Sequence, residues 1–520
     1  MLFNSAEFIF LFLPLSLLLF FSLAKRHGNE IALAGLVGCS LLFYGWWNPS
    51  YLVILIISML FNYGLGRSLG KSNNKKLLTL GVSLNLTSIV YYKYAGFLVL
   101  NINTATGNNW DIGTIILPLA ISFFTFQQIA YLVDSYKGIT KEYNFLHYAL
   151  FVSFFPQLIA GPIVHHKDML PQFSSTRRYQ ANLNNFKIGL TIFAIGLFKK
   201  TVLADGIAPY ANPVFNLADA GNEIDFFMAW GGALAYTFQL YFDFSGYSDM
   251  AIGIARLFGI ILPLNFYSPY KSTNISEFWR RWHITLSHFL RDYVYIALGG
   301  NRKGKFKRYN NLFITMVLGG LWHGAGWNFI IWGALHGSYL MIHLTWQATK
   351  HNITVVFFNT KYYQFLAWLL TFILVIIGWV FFRSVTLEGA FNILSGMAGL
   401  NGIEIPNALL ARLGSLGHSL QSLGITPSNG GKVFIMTWLW NITLLVFVMT
   451  LPNIQDLFAH KQGTLSKYSY SETNTFWPTL RLYNGLTWTD CRRWAFFSGA
   501  CLALGILTLS QVSEFLYFQF

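Results

Sequence analysis

The feature that most constrains this chain is recurrence. Apolar runs of about 20 residues, each long enough as a helix to cross a ~30 Å hydrocarbon core, follow one another along nearly the whole sequence. Strand-like alternation is almost absent, so the expected fold class is all-α, a polytopic helical bundle rather than a barrel. Composition agrees: 54% of the 520 residues are hydrophobic and 11% are charged, against roughly a quarter charged in soluble domains. Most of the surface is therefore made for lipid. Membrane-embedded segments are expected at about 7–24, 31–46, 51–66, 77–99, 113–133, 145–163, 184–205, 226–244, 246–261, 311–322, 325–347, 364–383, 433–452 and 494–511. The chain reads as one integral membrane domain over 1–520, with a motif-rich core at about 113–347 and a less characteristic part at 384–520.

The formal charge of +15 suggests nucleic acid until its distribution is considered. Lys25/Arg26, the connection Arg67 to Lys76, and Lys137/Lys141 are basic, whereas Trp47 to Ser50 and Asn101 to Asp111 carry no basic residue. This alternation is what successive crossings require, with the basic loops in the cytoplasm. Charge here reports topology, and no nucleic-acid partner is implied. No Lys or Arg precedes the first apolar run, Phe8 to Ala24, and Lys25/Arg26 follow it, the reverse of a cleavable leader. It is expected to stay as an anchor. Cys39, Cys491 and Cys501 form no CxxC pair, imply neither a disulfide framework nor a metal site, and are expected to be small core residues.

Two places look broken. Pro156 and Pro162 interrupt one segment, and Gly319, Gly320, Gly324 and Gly326 crowd the junction of two others. Irregular backbone at membrane depth is tolerated where it is buried in protein or lines a watery cavity. Between them, Asn274 to Tyr293 places Ile275, Phe278, Trp279, Trp282, Leu286, Phe289, Leu290 and Tyr293 on one helical stripe. Glu277, Arg280, Arg281, His288, Arg291 and Asp292 fall opposite, so an amphipathic interfacial helix is expected, started by a capping box at Asn274 and Glu277. His283 projects between the two faces.

Arg302, Lys303, Lys305, Lys307 and Arg308 follow with no acid among them. They suit the phosphates of a nucleotide-containing donor such as coenzyme A, and positive-inside topology accounts for them equally well. The sharpest local feature is Leu321-Trp322-His323-Gly324-Ala325-Gly326-Trp327. An ionisable side chain in an apolar, glycine-rich segment marks a functional site. A neutral imidazole there can take the proton of a hydroxyl attacking a thioester carbonyl and return it to the leaving thiolate. The plainer alternative is a histidine that hydrogen-bonds across helices, which is the main reading for His336 and His343. Upstream, Tyr241-Phe242-Asp243-Phe244-Ser245-Gly246-Tyr247-Ser248-Asp249 sets two carboxylates among aromatics, with Asp249–Arg256 a possible pair. Gln127/Gln128 and His165/His166 are weaker polar signals. No HExxH, Walker loop, GxSxG elbow or metal-type Cys/His spacing is present.

Taken together, several strings resemble the membrane-bound O-acyltransferase family, and within it the bacterial alginate O-acetyltransferase branch. They run from Tyr241 to Gly253, Leu264-Asn265-Phe266 with Pro269-Tyr270, Glu277 to Ser287, Arg291-Asp292-Tyr293, Gly299 to Arg302 and Leu321 to Gly324. Phe43-Tyr44-Gly45-Trp46, Ser122 to Phe126 and Phe155 to Pro162 agree, and the resemblance thins after about 385. It implies a ring of membrane helices around a funnel, with His323 and His283 as the catalytic residues and no metal. Arg302, Lys303 and Lys305 are the expected contacts to donor phosphates. It further implies acetyl-CoA as a cytoplasmic donor substrate, a bacterial inner-membrane location, and a periplasmic partner protein that passes acetyl to an exopolysaccharide. Competing functions are a transporter or flippase for an acylated carrier or glycan, D-alanyl transfer to teichoic acid, and a structural subunit of a secretion complex.

Overall fold

The computed structural model describes residues 1–140, 144–159, 161–350, 360–461, 463–465, 486–509 and 516. Lys141, part of one basic connection, and the end of the last expected segment lie outside the described residues. The protein is all-α: among the described residues the only strands are Glu404–Pro406 and Thr426–Ser428, which pair in parallel. The first half opens with Phe8–His27, Asn29–Gly45 and Ser50–Ser72. Their outward faces carry exposed Leu18, Leu42 and Ile57, as a lipid-facing surface requires. The expected run 77–99 is one helical path, Lys75–Ile89 and Ala95–Thr106, joined through a wider π turn at Val90–Tyr94. At 113–133 only Ile121–Tyr136 is helical, and 145–163 is split into Phe145–Ser153 and Phe155–Leu158, with the Pro156 break where the sequence placed it.

One expectation fails at the centre of the bundle. The segments 226–244 and 246–261 are a single 32-residue helix, Phe226–Leu257. At ~1.5 Å per residue it is ~48 Å long, more than a bilayer core needs. Ser245-Gly246 reads as a break because glycine weakens an isolated helix. Its role here is close approach. A Cβ on Gly246 would stand 2.8 Å from the Gly196 carbonyl oxygen of the neighbouring helix Leu183–Phe198, and one on Gly196 would stand 2.7 Å from the Gly246 oxygen. Gly189 and Gly253 repeat the arrangement two turns away, so the pair packs backbone to backbone.

That contact buries the two carboxylates flagged in the sequence. Leu183–Phe198 continues through a π turn, Lys199–Ala204, whose successive lysines reach two turns of the long helix. Lys199 Nζ lies 2.6 Å from Asp249 Oδ2, and Lys200 Nζ lies 2.7 Å from both Asp205 Oδ1 and Asp243 Oδ1. The expected pairing of Asp249 with Arg256 is therefore wrong; Arg256 reaches the Lys461 carbonyl instead. A second correction concerns Cys491, which is exposed, while Cys501 is buried as expected.

The Lys200 ion pairs are almost completely shielded, so their geometry matters more than their number. Lys200→Met leaves two buried carboxylates without their counter-charge and should destabilise the protein by about 3–5 kcal/mol. Replacing Lys200, Asp205 and Asp243 together by apolar residues of similar size should recover most of that loss. Thermal unfolding of the detergent-solubilised protein checks both.

Candidate active site

The glycine-rich junction is a helical hairpin. Gly304–His323 and Trp327–Lys350 meet at a break of three residues, with Gly324 extended (φ −163°, ψ 154°). The hairpin closes because its two helices touch through glycines. A Cβ on Gly320 would collide with the Phe329 carbonyl oxygen, and one on Gly333 would stand 2.5 Å from the Met316 oxygen. His323 is thus the last residue of one helix, pinned in place and 6% exposed. Its ring is surrounded edge-on by Trp322, Trp332 and Phe382, with centroids at 4.8, 5.1 and 5.0 Å.

His283 arrives by a route the sequence did not suggest. The stretch 274–293 is not one surface helix but Ile275–Arg281 and Ile284–Phe289, followed by a π turn at Leu290–Tyr295. The start is as expected, with the Asn274 side chain accepting from Glu277 N at 2.9 Å, although Glu277 returns its bonds to Thr273 rather than to Asn274. The break falls at His283, whose backbone is left-handed (φ 43°, ψ 53°). For a residue other than glycine that conformation is uncommon and persists where the surroundings enforce it. The enforcing segment is Leu264 to Tyr267: Tyr267 N donates to Arg281 O and Ile284 N donates to Asn265 O, each at 2.9 Å. Arg281, expected on the watery face, is buried. Its guanidinium bonds Glu277 at 2.7 Å and lies over the Tyr267 ring. The polar stripe fails as a guide at Arg281, which packs inside the protein, whereas Arg280 and Arg291 are exposed as expected.

The kink turns the His283 ring fully inward, and its hydrogen bonds determine its tautomer. Asn265 Oδ1 accepts from Thr285 Oγ1 at 2.8 Å and from Thr285 N at 3.4 Å, which identifies that atom as the oxygen. His283 Nδ1 stands 3.1 Å from the same oxygen and must therefore carry the proton. In the neutral ring this leaves Nε2 as the acceptor. Thr285 Oγ1 is itself fixed by Ile163 N at 3.0 Å, next to the Pro162 break. The proline break is thereby tied to the kink at His283.

Trp322 lies beside both the His283 and the His323 rings, with centroids at 6.2 and 4.8 Å. His336 joins the same cluster. Its Nδ1 accepts from Trp279 Nε1 at 3.3 Å, and its ring packs on Trp332 at 4.9 Å. This cross-helix bond is the role expected of it. His165 and His166 are elsewhere, beside Tyr293 and Thr140 respectively, and Gln128 bonds Ser58 and Tyr148.

A cavity of about 460 Å³ opens on the other side of Trp279. Arg280, His288, Arg291 and Arg308 line it with Leu312, Met316, Leu340 and Leu344. Trp279, which lines this space, packs on Trp332, and Trp332 packs on His323, with ring centroids at 5.7 and 5.1 Å. Arg302, Lys303 and Lys305 are exposed in the segment leading to it and do not line it; of the basic run, Arg308 does. Arg291 is paired with Asp292 at 2.7 Å.

Three contributors escaped the sequence reading. Asn265 lay inside a recognised string but had no role. Lys93 Nζ donates to the carbonyls of Trp322 and His323 at 2.6 and 3.0 Å, and Tyr94 Oη donates to that of Leu321 at 2.5 Å. The available signal was that Lys93 is the only charged residue in the apolar run 77–99.

The profile of MBOAT, the membrane-bound O-acyltransferase family, matches residues 134–387, which contain both histidines. A peptidoglycan O-acetyltransferase of Helicobacter pylori is 46% identical over 435 residues, covering 78% of this chain and 81% of that protein. A probable alginate O-acetylase of Azotobacter vinelandii is 42% identical over 426 residues, covering 80% and 82%. A teichoic acid D-alanyltransferase of Streptococcus thermophilus is 31% identical over 243 residues, covering 45% and 59%. The chain is a membrane acyltransferase and belongs to the membrane-bound O-acyltransferase family.

Proposed function

We propose that this protein is an O-acetyltransferase that takes acetyl from a cytoplasmic thioester, acetyl-CoA, and passes it across the bacterial inner membrane. A periplasmic partner then transfers it to an extracellular polysaccharide such as peptidoglycan or alginate. The observation that carries the reading is the placement of His323. It is a buried imidazole at a helical break, near a second buried imidazole whose Nδ1 is held by Asn265, and it is connected through Trp332 and Trp279 to a cavity lined by arginines. The two relatives matched over 81% and 82% of their length support acetyl as the group and a glycan as the destination.

In this reading His323 takes the proton of the acceptor hydroxyl as its oxygen attacks the thioester carbonyl. The C–S bond then breaks and the proton leaves with the thiolate. His283, held in one tautomer by Asn265, supports that transfer from the facing side. The donor enters through the cavity, with Arg280 and Arg308 on its phosphates and the apolar wall along the pantetheine arm. Arg302, Lys303 and Lys305 supply positive charge outside it, on the side that the basic loops assign to the cytoplasm.

His323→Gln should abolish O-acetylation of surface glycan while the protein still accumulates in the membrane, read by mass spectrometry of that glycan from complemented deletion cells. Undiminished acetylation would sink the reading, and a D-alanyl rather than an acetyl mass shift would favour the teichoic-acid alternative. Asn265→Leu frees the His283 ring and should lower the rate by about 10–100-fold, the usual cost of losing an orienting partner. Arg280→Gln with Arg308→Gln should raise KM for acetyl-CoA about tenfold and leave kcat within about twofold, the signature of lost uniform binding. Membrane preparations titrated with acetyl-CoA distinguish this from a catalytic defect. Neutralising Arg302, Lys303 and Lys305 should weaken capture at low salt and much less at high salt.

A further inference from the structure

The helix that ends at His323 has an electrostatic problem. Its last four carbonyls lack intrahelical partners, and Gly324 is extended instead of left-handed, so it does not fold back to cap them. Three of the four are satisfied from a distant segment. Tyr94 takes the Leu321 carbonyl, and Lys93 takes those of Trp322 and His323. The same helical path also holds the far side of the break. Asn101 Oδ1 accepts from Trp327 Nε1 at 3.0 Å, and Phe97 packs edge-on against the Trp327 ring at 6.0 Å.

Lys93, Tyr94, Phe97 and Asn101 are spaced so that they share one helical face. Lys93 and Tyr94 end the π turn Val90–Tyr94, and such turns re-aim side chains and concentrate at functional sites. An ammonium in an apolar run is expensive unless it has a dedicated partner. Here the partner is the negative end of the helix that carries His323.

We propose that Lys93, with Tyr94, is a positioning residue for acyl transfer: it clamps the carbonyl end of the helix Gly304–His323 across the glycine break and so sets where the His323 ring stands. Lys93 contacts the backbone and not the imidazole, so its effect is exerted through His323. The proposal rests on the reading that His323 takes the proton. A misplacement of about 1 Å in a catalytic group can cost on the order of 100-fold in rate.

The test compares Lys93→Met, Lys93→Arg and Tyr94→Phe in membranes supplied with acetyl-CoA. Lys93→Met should lower kcat at least about tenfold and change KM less than about twofold. Lys93→Arg, which keeps the charge and the donors, should recover to within about threefold of wild type, and Tyr94→Phe should lose less than Lys93→Met. In a His323→Gln background, Lys93→Met should have no further effect on any residual rate.

A second readout does not depend on activity. The rate at which diethyl pyrocarbonate modifies His323, mapped by peptide mass spectrometry, should rise at least about threefold in Lys93→Met and stay near wild type in Lys93→Arg, as expected if the clamp limits local opening. Wild-type kcat in Lys93→Met, or a loss that follows the amount of folded protein one for one, overturns the proposal. So does an unchanged labelling rate. If His323→Gln itself remains active, the catalytic reading fails, and the labelling comparison still decides the clamp.

Discussion

In a hydrocarbon environment every backbone N–H and C=O must find its partner inside the protein. A continuous helix meets that condition along its length, but a histidine brought to the broken end of a helix does not. The architecture around His323 is a set of answers to this constraint. The Gly320/Gly333 contact draws the hairpin closed, and Lys93 and Tyr94 take carbonyls the break leaves over. At His283 the answer is different in form: an extended segment runs alongside the kink and pairs with it through Asn265 and Tyr267. Neither break stands without a second chain segment devoted to it.

Charge obeys the same logic. The long helix Phe226–Leu257 places Asp243 and Asp249 deep in the protein, and two successive lysines in a π turn meet them. Wider turns recur where side chains must be aimed: at Lys93, at Lys199 and Lys200, and just after the His283 kink. A regular helix separates successive residues by about 100°. The wider turn changes which neighbours face the same partner.

Much of this was legible in the sequence. Hydropathy located most of the helices, because the lipid-facing requirement acts on every turn, and the costliest residues in apolar surroundings, His323, Asp243 and Asp249, stood out by their expense. Pro156 announced the interruption within 145–163, and the Gly319–Gly326 cluster announced the break beside His323. What failed has identifiable causes. Gly246 looks like a helix breaker and is a packing contact, a distinction that depends on the partner helix. The stretch 274–293 has a surface helix's periodicity, but Arg281 finds Glu277 and Tyr267 in the interior, so its charge says nothing of exposure. Ion pairs across elements, such as Lys199 with Asp249, leave no local signal, and Asn265 gains its meaning only when His283 is folded onto it.

The central claim is that acyl transfer from a donor on one side of the membrane to an acceptor on the other depends on proton transfer at His323. Proteoliposomes of known orientation, given labelled acetyl-CoA on the Arg280/Arg308 side alone and an acceptor on the opposite side alone, test it most directly. The account predicts label on the acceptor with the wild-type protein and background with His323→Gln. Equal transfer by both proteins, or transfer only when donor and acceptor share a compartment, would contradict it.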